Sequence, residues 1–210
     1  MSLTLLHRAA VLATLPLALA AGGCATGTSE SRTVQLAERP TWEPNDTWTY
    51  AGRRASGPYT ITRKVLREGL FDGYPAYEVE AGDSHYWFTK RLGYLARLNG
   101  DKVVRRAIPP EDFQWPLQVG KQWSSTFLWI DAGEPERRTP ATGIWMVEGY
   151  EDVKTPAGTF KAFKVSRREM QSGAWQEIWY SPTVKSWVKI RAGGGPDGDF
   201  EEELSAYSTR

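Results

Sequence analysis

The side chains able to handle protons or hold a metal are few, and their spacing serves chemistry poorly. His85 is the only histidine after His7. Nucleophilic catalysis by serine needs a base to take the hydroxyl proton. Gly82-Asp83-Ser84-His85 sets a serine beside that histidine, but the segment enters a strand and no later histidine follows. It therefore reads as a turn leading into a strand, with His85 partly exposed. One histidine and a single cysteine, Cys24, cannot build a typical zinc site. Asp197, Asp199, Glu201, Glu202 and Glu203 form an acidic cluster without EF-hand spacing, and alternate carboxylates on a strand point to opposite faces. No metal and no cofactor are expected. Gly193-Gly194-Gly195-Pro196-Asp197-Gly198 fits a dinucleotide-loop pattern in letters only, since Pro196 and the acids beyond it offer no helix N-terminus for a pyrophosphate. Glu148, Glu151, Asp152 and Glu177 lie near aromatics. A glycan hydrolase needs two carboxylates roughly 5–10 Å apart across one cleft, and Glu148 or Glu177 would serve that alternative.

Aromatic residues are the stronger signal. Ten Trp, nine Tyr and seven Phe argue against disorder. They could fill a core, line a concave surface for an acyl chain, or stack sugars. Ten Trp is generous for one core, and Trp is seldom fully buried. Trp87, Tyr94, Trp179 and Trp187 are the candidate ligand-binding residues. The expectation is a domain that holds an apolar or amphipathic ligand, or an envelope partner, rather than an enzyme.

The N-terminus points to export. Arg8 is followed by the apolar run Ala9 to Ala20, a length that fits a signal core and falls short of a membrane span. Residues 1–23 are expected to be a signal peptide. Ala21-Gly22-Gly23-Cys24 resembles the lipobox of bacterial lipoproteins, although Ala21 stands where that family prefers Leu. The resemblance implies acylation of Cys24 and a membrane anchor built from acyl chains, each buried CH₂ contributing ~0.8 kcal/mol. Ala25, rather than Asp, follows the cysteine, which in that family implies sorting to the outer membrane. Cleavage after Ala20 into a soluble periplasmic protein is the alternative. Residues 24–41 are small and polar and read as a tether. Without residues 1–23 the chain has 25 basic and 25 acidic side chains, and it has no basic run, so nucleic acid is not an expected partner.

From residue 42 to 210 the pattern is all-β. Twelve short segments rich in β-branched and aromatic residues alternate with turn signals: residues 47–52, 59–68, 76–81, 85–90, 94–98, 102–107, 122–130, 142–150, 160–169, 174–180, 186–191 and 200–207. Asn99-Gly100-Asp101 and Gly193 to Asp199 read as hairpin turns. The chain also repeats. Trp87–Arg97 aligns with Trp179–Lys189, Tyr74–Val79 with Phe160–Val165, and Pro44–Tyr50 with Val119–Ser125, in the same order. Copies at about 42–98 and 115–190 are expected to share one core and pair their edges. The predicted fold is an antiparallel barrel, half-barrel or sandwich built from two related halves.

Trp115 to Trp123, Thr155 to Val165 and Trp179 to Lys189 resemble segments of uncharacterised bacterial periplasmic β-proteins. That family is distantly similar to the curved half-barrels of the LolA/LolB-like lipoprotein carriers. The resemblance implies an envelope lipoprotein with a concave apolar face. Those carriers close their half-barrel with helices, and no lid helix is apparent in this sequence.

Overall fold

The computed structural model describes residues 34–196 and 198–210. The signal segment, Cys24 and most of the tether lie outside the described residues. Fourteen strands run in chain order: β1 (Leu36–Ala37), β2 (Thr47–Arg54), β3 (Gly57–Phe71), β4 (Tyr74–Ala81), β5 (Ser84–Thr89), β6 (Tyr94–Asn99), β7 (Lys102–Glu111), β8 (Leu117–Gln118), β9 (Gln122–Asp131), β10 (Arg137–Thr155), β11 (Gly158–Glu169), β12 (Trp175–Ser181), β13 (Ser186–Gly193) and β14 (Phe200–Ser208). Twelve of them close an antiparallel barrel, and β1 pairs with β8 as a separate two-stranded ribbon. The only helical element among the described residues is a 3-10 turn at Pro182–Val184.

Each of the twelve expected segments is a barrel strand. The open question of barrel, half-barrel or sandwich resolves to a closed barrel. Its two seams are β14 against β2 and β7 against β9. The helix-closed half-barrel implied by the LolA/LolB resemblance is not the form observed, because every barrel strand is hydrogen-bonded to a neighbour on both sides. Tight hairpins suit the up-and-down path. Asp72 and Gly73 both have positive φ (48° and 83°), the conformation of a type I′ turn, and they join β3 to β4.

The matched blocks fall at corresponding places in the ring. Strands β2–β7 make one run of six neighbours and β9–β14 the other. Trp48 on β2 and Trp123 on β9 start the two runs. A register shift after Val65 between β3 and β4 has a counterpart after Val147 between β10 and β11. Another between Trp87 and Phe88 has a counterpart between Trp179 and Tyr180. Trp42 and Leu117, each six residues before the tryptophan that opens its run, are both fully buried.

A barrel of about eight strands is just filled by its own inward side chains. Twelve strands enclose more, so this lumen needs added material. At the end where β3 meets β4 and β5 meets β6, the chain supplies it as an aromatic plug. Trp42 lies 5.0 Å from Trp48, 5.4 Å from Tyr77 and 5.9 Å from Phe88, ring centre to ring centre. The indole N–H groups of Trp42 and Trp48 donate to the Lys185 and Val184 carbonyls, both at 2.7 Å. The β7–β9 connector adds Phe113 and Trp115, which pack on Trp145 and Tyr180 at 4.9 and 5.0 Å. Outward positions are charged instead. Lys164, Lys189 and Arg67 pair with carboxylates on the outer wall. That polarity is the inverse of a barrel whose outer wall faces lipid.

The β5–β6 turn is locked by one short side chain. Thr89 donates its hydroxyl to Asp112 and accepts the Arg91 and Gly93 backbone N–H groups at 3.2 and 3.1 Å. A Cβ on Gly93 would lie 2.8 Å from the Asp112 Cα, which is backbone and cannot swing aside. Gly93→Ala is expected to lower stability by about 1–3 kcal/mol, the usual range for overpacking. Urea unfolding should show a lower midpoint with an unchanged slope.

Candidate functional site

Above the plug the lumen stays open, with a cavity of about 590 Å³. That volume falls inside the ~300–1,000 Å³ range of small-molecule sites. The six hairpins β2–β3, β4–β5, β6–β7, β9–β10, β11–β12 and β13–β14 lie at the end away from the plug, as an up-and-down path requires. The floor is apolar, with Phe88, Phe113, Trp145 and Trp187, and the walls include Ile61, Val79, Ile178 and Ile190.

Among the described residues, six arginines (Arg54, Arg63, Arg97, Arg105, Arg137, Arg167) and four carboxylates (Glu111, Asp131, Glu169, Glu202) also line this cavity. A charge withdrawn from water is tolerated only when paired and hydrogen-bonded. Glu202, 3 % exposed, takes Arg63 Nη2 at 2.6 Å and the Tyr59 hydroxyl at 2.9 Å. Glu111 accepts from Trp145 Nε1 at 2.8 Å, Ser125 Oγ at 3.0 Å and Arg167 Nε at 2.9 Å. Gly143 makes room for this group, because a Cβ there would lie 3.0 Å from the Glu111 Cδ and closer still to its oxygen. Glu169 accepts from Trp129 Nε1 at 2.9 Å, Ser172 Oγ at 2.7 Å and Arg167 Nη2 at 3.2 Å. Asp131 holds Arg137 at 2.8 Å and lies 3.3 Å from Arg105 Nε. The arginines also lie over rings: Arg105 is 4.0 Å from the Trp129 ring centre, Arg63 4.5 Å from that of Tyr50, and Arg54 3.8 Å from that of Tyr59.

The surroundings of Glu169 oppose its use as a general acid. Burial raises the Glu169 pKa, but the hydrogen bonds from Trp129, Ser172 and Arg167 together outweigh it and hold the group below the usual glutamate value. A general acid must keep its proton near neutral pH, and Glu169 does the opposite. Burial first, then the Glu202 charge, pushes the Tyr59 hydroxyl up to about 12. Burial likewise pushes Tyr50 up to about 12, against the pull of Arg63. Both phenols stay neutral and act as hydrogen-bond donors.

The four expected ligand-binding residues divide. Tyr94 and Trp187 line the cavity. Trp87 does not; it packs with Ala76, Leu95 and Ala96 in a cluster apart from the main core, on the strand face opposite Tyr86 and Phe88. Trp179 does not either; its indole donates to Glu151 at 2.6 Å between the ammonium groups of Lys164 and Lys189. Glu148 and Glu177 share Lys164 at 2.8 and 2.9 Å and are absent from the cavity lining. They form an ion-pair network on the outer wall rather than a catalytic cleft. His85 donates its Nδ1–H to the Glu78 carboxylate at 2.9 Å and is partly exposed. In the acidic cluster, Glu201 and Glu203 turn outward to Lys189 while Glu202 turns inward to Arg63, the split that strand alternation demands. Among the described residues no group of three potential ligands is placed to hold a metal ion.

Of these charged residues only Glu202 was singled out from the sequence, as part of the acidic cluster, yet a signal for an inward charge was there. Arg63 shares parity with Tyr59, Ile61 and Val65, and Glu202 sits between Phe200 and Leu204. A charged residue at the apolar phase of a strand marks an inward, partnered charge.

No family model matches this chain. No curated protein matches it either. Among solved structures, a candidate exported protein with a YmcC-like fold from Bacteroides fragilis is similar at 12 % identity, with a TM-score of 0.48, over 82 % of this chain and 100 % of its own. A candidate lipoprotein from Parabacteroides distasonis is similar at 13 % identity and a TM-score of 0.43, over 83 % of this chain and 100 % of its own. The hypothetical lipoprotein YmcC from Escherichia coli is similar at 9 % identity and a TM-score of 0.46, over 81 % of this chain and 90 % of its own.

The Glu169 shift sets a pH dependence. A carboxylate whose pKa is depressed on folding contributes stability above its unfolded value and loses that contribution as pH falls through the folded value. Glu169→Gln should therefore weaken the barrel at pH 7, and the gap from wild type should close as pH falls below about 4.5, the ordinary glutamate value. Parallel urea titrations of the two proteins between pH 7 and pH 3 check this.

Proposed function

We propose that this chain is a lipoprotein of the bacterial cell envelope whose barrel holds an apolar or amphipathic molecule in its lumen and catalyses no reaction. The observation that carries the reading is the open cavity of about 590 Å³ above an aromatic floor. A barrel needing only stability would gain by filling that space, since each additional buried CH₂ contributes about 0.8 kcal/mol. The lining carboxylates are tied to arginines and indoles. They orient those donors instead of moving protons. The leader, the small residues before Cys24 and Ala25 after it support acylation and an outer-membrane anchor facing the periplasm. The membrane is then a partner through the lipid.

Two measurements test the two parts. Palmitate should label the native protein and not Cys24→Ser; an unlabelled native protein would make it a soluble periplasmic one. Purified barrel should bind n-alkanols with intrinsic Trp fluorescence as the reporter. Affinity should rise about tenfold for each two carbons added, until the cavity is full. A flat response across chain lengths would remove the ligand-holding reading.

A further inference from the structure

Large hydrophobic side chains on the outside of this barrel collect in one region. Among the described residues eight are exposed, and five of these, Val34, Leu36, Val119, Ile144 and Met146, lie on neighbouring segments at the plugged end. Leu36 on β1 pairs with Gln118 on β8, and Val119 follows at the corner of a tight turn. The Lys121 N–H closes that turn on the Gln118 carbonyl at 3.0 Å, with Gly120 at a φ of 87°. The turn is stitched to β10. Gly120 N–H donates to the Val147 carbonyl at 2.8 Å, and Val147 N–H to the Lys121 carbonyl at 2.9 Å. Trp145 and Val147 are buried, so Ile144 and Met146 point outward on the same strand. Met146 lies opposite Gln122, where β9 begins at the plugged end.

Single exposed apolar residues are ordinary, but a cluster marks a contact. A turn corner normally carries Gly, Pro, Asn, Asp or Ser rather than Val. The surroundings are also short of charge. Across the strands Ile144 and Met146 face Ser124, Gln122, Arg168 and Ser166, one charge among four, where the outer wall around Lys164 and Lys189 is laced with ion pairs.

The path of the chain points to what covers this patch. Val34 and Leu36 belong to the segment that leads back to Cys24, ten residues before Val34. An extended chain of ten residues spans at most about 36 Å. An acylated Cys24 therefore keeps this end of the barrel within that reach of a bilayer. Such tethering makes the second contact intramolecular, so an apolar patch too small to hold a soluble protein on a membrane suffices. Five half-exposed side chains are few beside the roughly 20–30 residues a side of a stable protein interface. A lipid surface fits them better than a second copy does.

We infer that this patch rests on the phospholipid surface that holds the acyl chains, and that the barrel stands with its rim turned to the aqueous side. The inference rests on the acylation proposed above and adds the orientation of the domain. The cavity mouth then opens to water and not to lipid.

The experiment uses the full chain, purified with its acyl chains and placed in vesicles of equal parts phosphatidylethanolamine and phosphatidylglycerol. Cys24 is the only cysteine and acylation consumes its thiol, so an introduced cysteine carries a polarity-sensitive fluorophore alone. Val119→Cys reports on the patch, and Asp83→Cys on the exposed β4–β5 hairpin at the rim. The label at 119 should shift to the blue on reconstitution and be quenched by lipids brominated in the acyl chain. The label at 83 should do neither. Adding Leu36→Glu and Met146→Glu to Val119→Cys should abolish the blue shift and leave the urea midpoint nearly unchanged, since both side chains are exposed. Palmitate labelling of the native protein separates the two readings: an unlabelled protein would overturn the anchor and the docking together. An acylated protein whose label at 119 stays as aqueous as that at 83 would overturn the docking alone. Quenching at both positions would overturn the orientation. In the unacylated Cys24→Ser protein, a label at 119 that is already blue-shifted without vesicles, with a dimer's mass by light scattering, would give the patch to a second copy and overturn the bilayer contact.

Discussion

The circumference of the ring governs everything inside it. Twelve strands enclose a lumen wider than inward side chains can fill, and the surplus must be plugged, wetted or left for a guest. This barrel divides the problem along its axis. At one end, the segment holding Trp42 and the connector holding Phe113 and Trp115 fold inward and fill the bore with rings. The Trp42 and Trp115 indole N–H groups find the Lys185 and Arg91 carbonyls. At the other end the bore is left open and braced by arginine–carboxylate pairs.

Those pairs bring two of the acids onto one arginine. Glu111 and Glu169 both reach Arg167, an arrangement that at first sight suits a two-carboxylate hydrolase. Yet such a reaction requires one acid to be held protonated by its surroundings, and indole, hydroxyl and guanidinium donors do the reverse at Glu169. The acids hold arginine side chains that would otherwise sample many rotamers.

Much of the frame could be read from the chain. Alternation, β-branched runs and Gly-centred turns gave all twelve barrel strands, because each of those signals is local. Closure was not readable, since the β14–β2 seam joins residues such as Tyr207 and Trp48 from opposite ends of the sequence. The two-residue strands β1 and β8 are too short to carry a period. The site was half readable. Tyr94 and Trp187 line the cavity, while Trp87 and Trp179 do not. Each of the latter pair adjoins a register shift, and such a shift breaks the simple alternation by which faces are counted along a strand. The charged half of the lining was hidden by habit: arginine and glutamate on a strand are ordinarily assigned to water.

The plug and the rim differ in what they tolerate. Chain leaving and entering at the plugged end is woven into the bore, where Trp42, Phe113 and Leu117 are locked among other rings. The rim is six hairpins, two of them tied also to a further strand, through Ala132 N–H to the Val104 carbonyl and Met170 N–H to the Thr142 carbonyl. Their exposed tips lie far from the plug, so changes of length or sequence there leave it intact. The architecture thus sets a fixed base beneath a collar whose tips can vary apart from it.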